Sequence, residues 1–214
     1  MPTFSYPFGD DEATGFFGGY RRPTHSFLDP AGDDNFVPVN DTAPALSGGA
    51  ADVLAYPSGE PVMDFNTGRP YPRPGRLNMQ NNISAGQMIN RLTDNPDLGD
   101  LSNPDLMFAP LFVHGSVMDY QRPLGHPFGN FDGTQTNISA YNFGVVGAAA
   151  GYDLDRLLKG AGSYNLWFGK PENAATSYGL SKERALSIRQ GYDDYKTGRW
   201  DPGEAADPPN PGEP

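Results

Sequence analysis

Gly144, Gly147, Ala148 and Gly151 fall at i, i+3, i+4 and i+7 in the stretch Y-N-F-G-V-V-G-A-A-A-G, so one face of a helix there carries almost no side chain. Glycine costs a helix about 1 kcal/mol per residue relative to alanine. Three glycines on one stripe therefore need a packing or site-building reason. The spacing predicts that this face presses its backbone against a neighbouring element.

The surrounding residues, from about Leu77 to Trp200, are periodic. Asn82 or Ser84 can cap a helix that turns Ile83, Met88, Ile89 and Leu92 inward and ends near Asp94. Asp105 to Val117 is apolar but holds Pro110, which predicts a broken helix or a helix leading into an extended piece. Asp153 is placed to cap a short helix through Leu154, Leu157 and Leu158, closed by Gly160 and Gly162. Ser181 opens the clearest helix, with Ala185, Ile188, Tyr192 and Tyr195 as its inner stripe and Gly198 past its end. The K-E-R run at its start reads as a solvated face, with Glu183 favourable in the first turn. Strand signals are few; V-H-G-S-V (113–117) and Y-N-L-W-F (164–168) are the best of them.

The chain contains 27 Gly and 22 Pro among 214 residues and is only 37% hydrophobic, which implies one modest core and much irregular backbone. Residues 1–76 are punctuated by X-Pro steps, with Phe4, Tyr6, Phe8, Phe16, Phe17, Tyr20, Phe27 and Phe36 scattered without period. Disordered linkers are aromatic-poor, so this part reads as an extended arm that packs its aromatics on the domain or on a carrier; a plain flexible linker is the alternative. Residues 201–214 are disordered by composition, and no internal repeat is present. The expected fold is a single compact, mainly helical α+β domain over 77–200, with an extended arm before it and a disordered tail after it.

With no cysteine, disulfides, thiolate metal sites and a Cys nucleophile are excluded. No apolar run approaches the roughly 18 residues a membrane span needs, so no membrane insertion is expected. M-P-T-F-S-Y-P-F-G-D-D-E lacks the regions of a signal peptide, so an exported form would be carried by something else. The net charge of −11 weighs against nucleic acid and anionic membranes as primary targets, because affinity for phosphate backbones rests on Lys and Arg. Solubility is the plain alternative for that charge.

Two of the three histidines, His114 and His126, lie in the periodic region. His126 sits in P-L-G-H-P-F-G-N, where prolines and glycines hold the loop, and Asp119 precedes it by seven residues. A held histidine with a carboxylate near it is the minimal kit for general-base catalysis, and Arg122 is placed to stabilise an oxyanion or phosphoryl charge. A loop hydrogen bond is the alternative role for His126, and His114, in an apolar segment, reads as a satisfied core residue. Asn130 marks a G-N turn or a binder of a substrate carbonyl, and Asn142 on the Gly/Ala helix is a candidate for the same cleft, as is Tyr120. No cofactor is predicted. A divalent ion at Asp119, Asp132 and one histidine is the weak alternative, since no H-E-x-x-H or EF-hand spacing is present. Phosphate-loop, dinucleotide and G-x-S-x-G signatures are also missing.

The order D-Y, F-G-N-F, N-F-G-x-x-G-x-A-A-G, L-L-x-G-A-G and I-R-Q-G-Y-D-D-Y, over about residues 80 to 198, resembles the bacterial polymorphic toxin type 44 domain. This chain departs from the family pattern in two places. Gln121 and Arg122 follow the D-Y pair where a lysine is usual, and G-T-Q-T-N-I-S-A is interposed after G-N-F. The resemblance implies a toxin module of a secreted interbacterial effector, joined to a carrier or secretion-system protein and neutralised by a cognate immunity protein. It leaves the target open. The expected activity is hydrolysis in the periplasm, on peptidoglycan or its precursor, with His126 as acid/base, Asp119 as its partner, Arg122 and Asn130 assisting, and Tyr120 and Asn142 binding substrate. The alternatives are a cytoplasmic RNase using His126 and Arg122, which Arg69, Arg73, Arg76 and Arg91 beside His126 would favour, or a non-enzymatic tail-associated module.

Overall fold

The computed structural model describes residues 53–95, 97, 99, 103–127, 129–168 and 179–201. The expectations for most of the arm and for the tail fall outside them. The fold is mainly helical α+β, with five α-helices and one two-stranded hairpin among the described residues.

The hairpin pairs β1 (Met63–Asp64) antiparallel with β2 (Arg69–Pro70), and single bridges join Val53 to Pro72 and Ala55 to Pro61. Prolines donate nothing to a ladder, so a segment this rich in them forms only short, edge-like pairing. Asp64 closes the turn: its carboxylate accepts from the Asn66 N–H at 2.9 Å, and its carbonyl accepts from the Gly68 N–H at 2.8 Å. Leu54, Tyr56, Val62 and Tyr71 point inward and join the core with Leu77, Ile83, Ile138, Tyr141 and Val145. The compact unit therefore begins at Asp52, not at the expected boundary of 77. Its inward side chains follow the turns of an irregular hairpin, so no period of 2 or 3.6 exposes them in the sequence. Burying four such side chains contributes about 1.5–3 kcal/mol each, which together rivals the roughly 5–15 kcal/mol net stability of a typical domain. A chain beginning at Leu77 is expected to show no cooperative thermal transition by circular dichroism, whereas one beginning at Asp52 melts as a unit.

Helix α1 (Met79–Thr93) starts earlier than expected. Asn78 caps it by accepting from the Asn81 N–H at 3.1 Å, and Asn82 faces the interior with Met79, Ile83 and Ile89 while Met88 lies in solvent. Helix α2 (Pro104–Phe108) has Pro at its start and passes into a 3-10 turn at Ala109–Leu111, the break that Pro110 predicts. The V-H-G-S-V segment forms turns, not a strand.

Helix α3 (Thr136–Ala149) is the Gly/Ala helix, and nine of its residues are buried. Helix α4 (Leu154–Phe168) is capped by Asp153, whose Oδ1 accepts from the Arg156 N–H at 2.7 Å. It runs through Gly160 and Gly162, both buried within it, and takes up the Y-N-L-W-F segment expected to be a strand. Helix α5 (Lys182–Lys196) is capped by Ser181 as predicted, but its buried face is Ser187, Ile188, Gln190, Gly191 and Asp194. Ala185, Tyr192 and Tyr195 are half-buried, so the face is rotated from the one hydrophobicity alone picks out.

That rotation has a steric cause. A methyl group on Gly144 would overlap the carbonyl oxygen of Ile188, and one on Gly191 would overlap the carbonyl oxygen of Tyr141. Each helix thus sets a glycine against the other's backbone, and α3 and α5 cross in direct main-chain contact. Gly147 faces the Leu157 side chain of α4 instead, and Gly86 of α1 would place a methyl 2.6 Å from the Val146 carbonyl. The glycine stripe serves several neighbours at once.

The polar residues of α5 tie the hairpin down. Asp194 accepts from the Tyr56 hydroxyl at 2.6 Å and the Tyr141 hydroxyl at 2.8 Å, and Tyr141 in turn accepts from the Trp200 indole N–H at 3.0 Å. Burial, together with the Asp194 carboxylate, holds both phenols above their ordinary pKa, so they stay protonated donors. Gln190 accepts from the Tyr71 hydroxyl at 3.2 Å and donates to the Met63 carbonyl. No helix among the described residues is long and apolar enough to cross a membrane.

Candidate active site

The turns of residues 112–132 are set by local hydrogen bonds and one obligatory glycine. The Gly125 N–H donates to the Gly115 carbonyl at 2.8 Å, the His126 N–H to the Pro123 carbonyl at 3.1 Å, and the Asp132 N–H to the Gln121 carbonyl at 2.8 Å. Gly115 has φ of 74°, and a methyl there would sit 2.7 Å from the Pro127 nitrogen. Only glycine allows that conformation with the two limbs of the loop so close.

Asp119 is buried and organises the loop. Its Oδ2 accepts from the Gly115 N–H at 2.7 Å and lies 3.3 Å from Arg122 Nη1, while its Oδ1 accepts from the Gln121 N–H at 3.1 Å. The Arg122 guanidinium lies over the Phe131 ring, 5.1 Å from its centroid. Arg76 Nη2 donates to the carbonyls of Asp119 and Arg122, at 2.7 Å each. Of the four arginines that would favour RNA, Arg76 reaches this loop through backbone oxygens; Arg69, Arg73 and Arg91 are exposed.

The histidine gathered into this arrangement is His114. Its ring meets Tyr164 of α4 edge-on, with centroids 5.2 Å apart, and its backbone N–H donates to the Tyr164 hydroxyl at 3.1 Å. Burial lowers its pKa below the usual value of 6.5, the Arg122 charge lowers it further, Asp119 opposes, and Arg184 adds a smaller lowering. The imidazole is therefore neutral at neutral pH. Burial pushes the Tyr164 phenol up to about 12.

Arg184, in the first turn of α5, is held by a neutral partner: its Nη1 donates to Asn165 Oδ1 at 3.0 Å, and Asn165 donates to the Gly179 carbonyl at 2.6 Å. Burial, and then the charge of Arg122, lowers the Arg184 pKa. Asp119 thus pairs with Arg122 in the loop, His114 meets Tyr164 of α4, and Arg184 of α5 is held by Asn165 of α4.

The structure pairs Asp119 with Arg122 instead of with His126, the partner expected from the sequence. The His126 side chain is exposed, and the hydrogen bonds of the Asp119 carboxylate go to Gly115, Gln121 and Arg122. Asn130 is exposed too. Tyr120 and Asn142, expected in the cleft, lie in the interior, where Asn82 Nδ2 donates to the Tyr120 hydroxyl at 2.6 Å and to Asn142 Oδ1 at 2.8 Å. They join α1, α3 and the loop, which fits a positioning role. Asp132 caps the short 3-10 turn at Gly133–Gln135 by accepting from the Thr134 N–H at 2.9 Å, away from any partnership with Asp119. Among the described residues, no group of three His, Asp or Glu is placed to hold a metal ion.

Sequence reasoning missed His114 as a site residue, and with it Tyr164 and Arg184. The Tyr164 phenol sits in a segment expected to be a strand, and Arg184 sits in K-E-R, which reads as a solvated face. Lys182 and Glu183 are exposed as that reading requires, but Arg184 is half-buried. The N-cap at Ser181 fixes the helical phase, and that phase was the available signal that the third residue of the run turns inward. Comparison with known proteins finds no matching family model, curated protein or solved structure.

Proposed function

We propose that this chain is a toxin module of the type 44 kind, a hydrolase acting on the bacterial cell envelope, with His114 as its acid/base. The observation that carries the chemistry is the half-buried, neutral imidazole of His114 against Tyr164, within reach of the charges of Arg122 and Arg184. A neutral imidazole accepts a proton from water at neutral pH. The Tyr164 hydroxyl stays protonated and holds the His114 backbone N–H in place. Two guanidinium groups held by Asp119 and Asn165 are preorganised for negative charge that develops during reaction. The toxin context rests on the ordered motifs of residues 80–198. The envelope target is supported by the net charge of −11, which disfavours long polyanions. Delivery by a carrier or secretion system and neutralisation by an immunity protein belong to the same reading.

The second reading is a cytoplasmic RNase, and the paired arginines beside an imidazole favour it. Expression of residues 1–214 in a bacterium, once retained in the cytoplasm and once with an added export signal, separates the two. Rounding or lysis only of exporting cells is the expected result. Growth arrest only in the cytoplasm, with degraded RNA, replaces the envelope reading with the RNase, and harmlessness in both removes the toxin reading.

A further inference from the structure

We infer that the N-terminal half of α3 carries a binding face for a neutral ligand with amide and hydroxyl groups, an acetamido sugar, and that Gln121 closes this face as a latch. The choice of a sugar rests on the envelope reading; the face and its latch do not.

Three buried side-chain atoms have no hydrogen-bond partner among the described residues: Gln135 Oε1, Ser139 Oγ and Asn142 Nδ2. They fall at i, i+4 and i+7, so they share one side of the helix and span about 10 Å of it at 1.5 Å per residue. Asn142 is fully buried; its oxygen accepts from Asn82, and its nitrogen is left over. Buried polar groups without partners are rare and costly, and three in one line mark a face that another molecule completes.

The atom types define that molecule. In order they are an acceptor, a hydroxyl that donates or accepts, and a donor. The complement is an N–H, an O–H and a C=O. An acetamido sugar carries all three, whereas a plain glucose polymer lacks the N–H and the C=O. The side chains tied to this face, Asn82, Tyr120, Gln121 and Thr136, are uncharged, which suits a neutral ligand. The Phe131 ring, 51% exposed, lies beside Gly133 at the start of the turn that leads into Gln135. It adds the aromatic surface common in sites for small uncharged ligands.

Gln121 fastens the outer end of the face. Its Nε2 donates to Thr136 Oγ1 at 2.7 Å, and its carbonyl accepts from the Asp132 N–H at 2.8 Å. Tyr120 next to it is fixed in the core and held by Asn82 at 2.6 Å, so it serves as the pivot. Opening at Gln121 breaks these two hydrogen bonds and gives access to three atoms that had none. The closed state therefore has little advantage over an open one, and an occupant that answers all three atoms reverses the preference.

The full chain is titrated with diacetylchitobiose, followed by NMR of the Asn142 side-chain amide, with hydrogen exchange of the Asp132 N–H as the gauge of the latch. Saturable binding with a shifted Asn142 amide is expected, and Ser139→Ala should weaken it roughly fivefold or more, the loss of one hydrogen bond. Cellobiose, with the same rings and no acetamido groups, should bind more weakly by a further factor of roughly ten. In the free protein, Ser139→Ala should slow Asp132 exchange, because the closed state then buries one fewer unanswered group. Thr136→Val should speed it, because the tie to Gln121 is lost; if that variant does not fold, Gln121→Ala removes the same tie. A purely structural role for these side chains would speed exchange in both variants. Unchanged or faster exchange in folded Ser139→Ala overturns the latch, and an unmoved Asn142 amide at saturating disaccharide overturns the face. Equal affinity for cellobiose, or tighter binding of an N-acetyl dipeptide, overturns the choice of an acetamido sugar. Disaccharide binding without killing by exported protein retains the face and removes the toxin reading. Killing by exported protein without disaccharide binding retains the toxin reading and removes the face.

Discussion

Gly144→Ala is expected to destabilise the domain by about 3 kcal/mol or more, enough to leave a marginal fold largely unfolded at 37 °C. In an isolated helix the same change would stabilise by about 1 kcal/mol, because alanine is the better helix former. The sign reverses here because the new methyl group meets the Ile188 carbonyl oxygen, a backbone atom that cannot rotate away. Accommodation requires α3 and α5 to separate, which loosens the packing of Tyr141, Val145 and Ile188 and draws Asp194 away from the Tyr141 hydroxyl. Gly191→Ala should act alike, through the Tyr141 carbonyl. The double variant should lose less than the sum of the two, because a crossing already forced apart has room for the second methyl. Gly133→Ala is the control: its methyl would meet only the Phe131 ring at 3.5 Å, an ordinary contact, so a change within about 0.5 kcal/mol is expected. Urea denaturation midpoints measure all four. A Gly144→Ala midpoint equal to that of the unaltered chain would mean that the helices do not cross this closely.

His114→Ala is expected to lower the proposed toxin activity by a factor of roughly 100 to 10,000, the usual contribution of a general acid or base. His126→Ala should change it little. The exposed His126 ring has no share in the Asp119 hydrogen bonds, whereas His114 meets Tyr164 within the charge field of Asp119, Arg122 and Arg184. The pH profile carries a second signature. In the proposed mechanism the base is the neutral imidazole, whose pKa burial and the charges of Arg122 and Arg184 lower from 6.5. Activity should therefore hold as pH falls through 6.5 and decline only below it. Arg184→Gln removes one of those cations, so the acid limb should move to higher pH. Growth inhibition after induction gives the first comparison, and circular dichroism of each variant separates lost chemistry from lost folding. Loss of activity in His126→Ala with full activity in His114→Ala would transfer the site to the outer loop.

The packing and the site make different demands on the same segments. Gly115 lets the loop double back so that Asp119 can hold Arg122, and the α3–α5 crossing fixes where α5 begins relative to α4. Arg184 sits at that beginning. A weakened crossing should thus disturb the Arg184–Asn165 contact before any site residue is itself altered.

Local physics was legible in the sequence. The mainly helical α+β class, the glycine-faced helix, the caps at Asp153 and Ser181 and the break at Pro110 each depend on a few neighbouring residues, and each is read from spacing and backbone preference. Asp119 and Arg122 were each singled out, but Asp119 as the partner of His126; its pairing with Arg122 came from the structure. Long-range geometry decided the rest. The hairpin at 53–76 joins the core through side chains without a period. Asn82, Tyr120 and Asn142 turn inward because three separate segments meet there. His114 replaces His126 beside the charged groups because Tyr164 and Arg184 arrive on α4 and α5. No spacing within one element encodes which of two histidines a distant helix will meet; helix phase and main-chain contact at the glycines settle it.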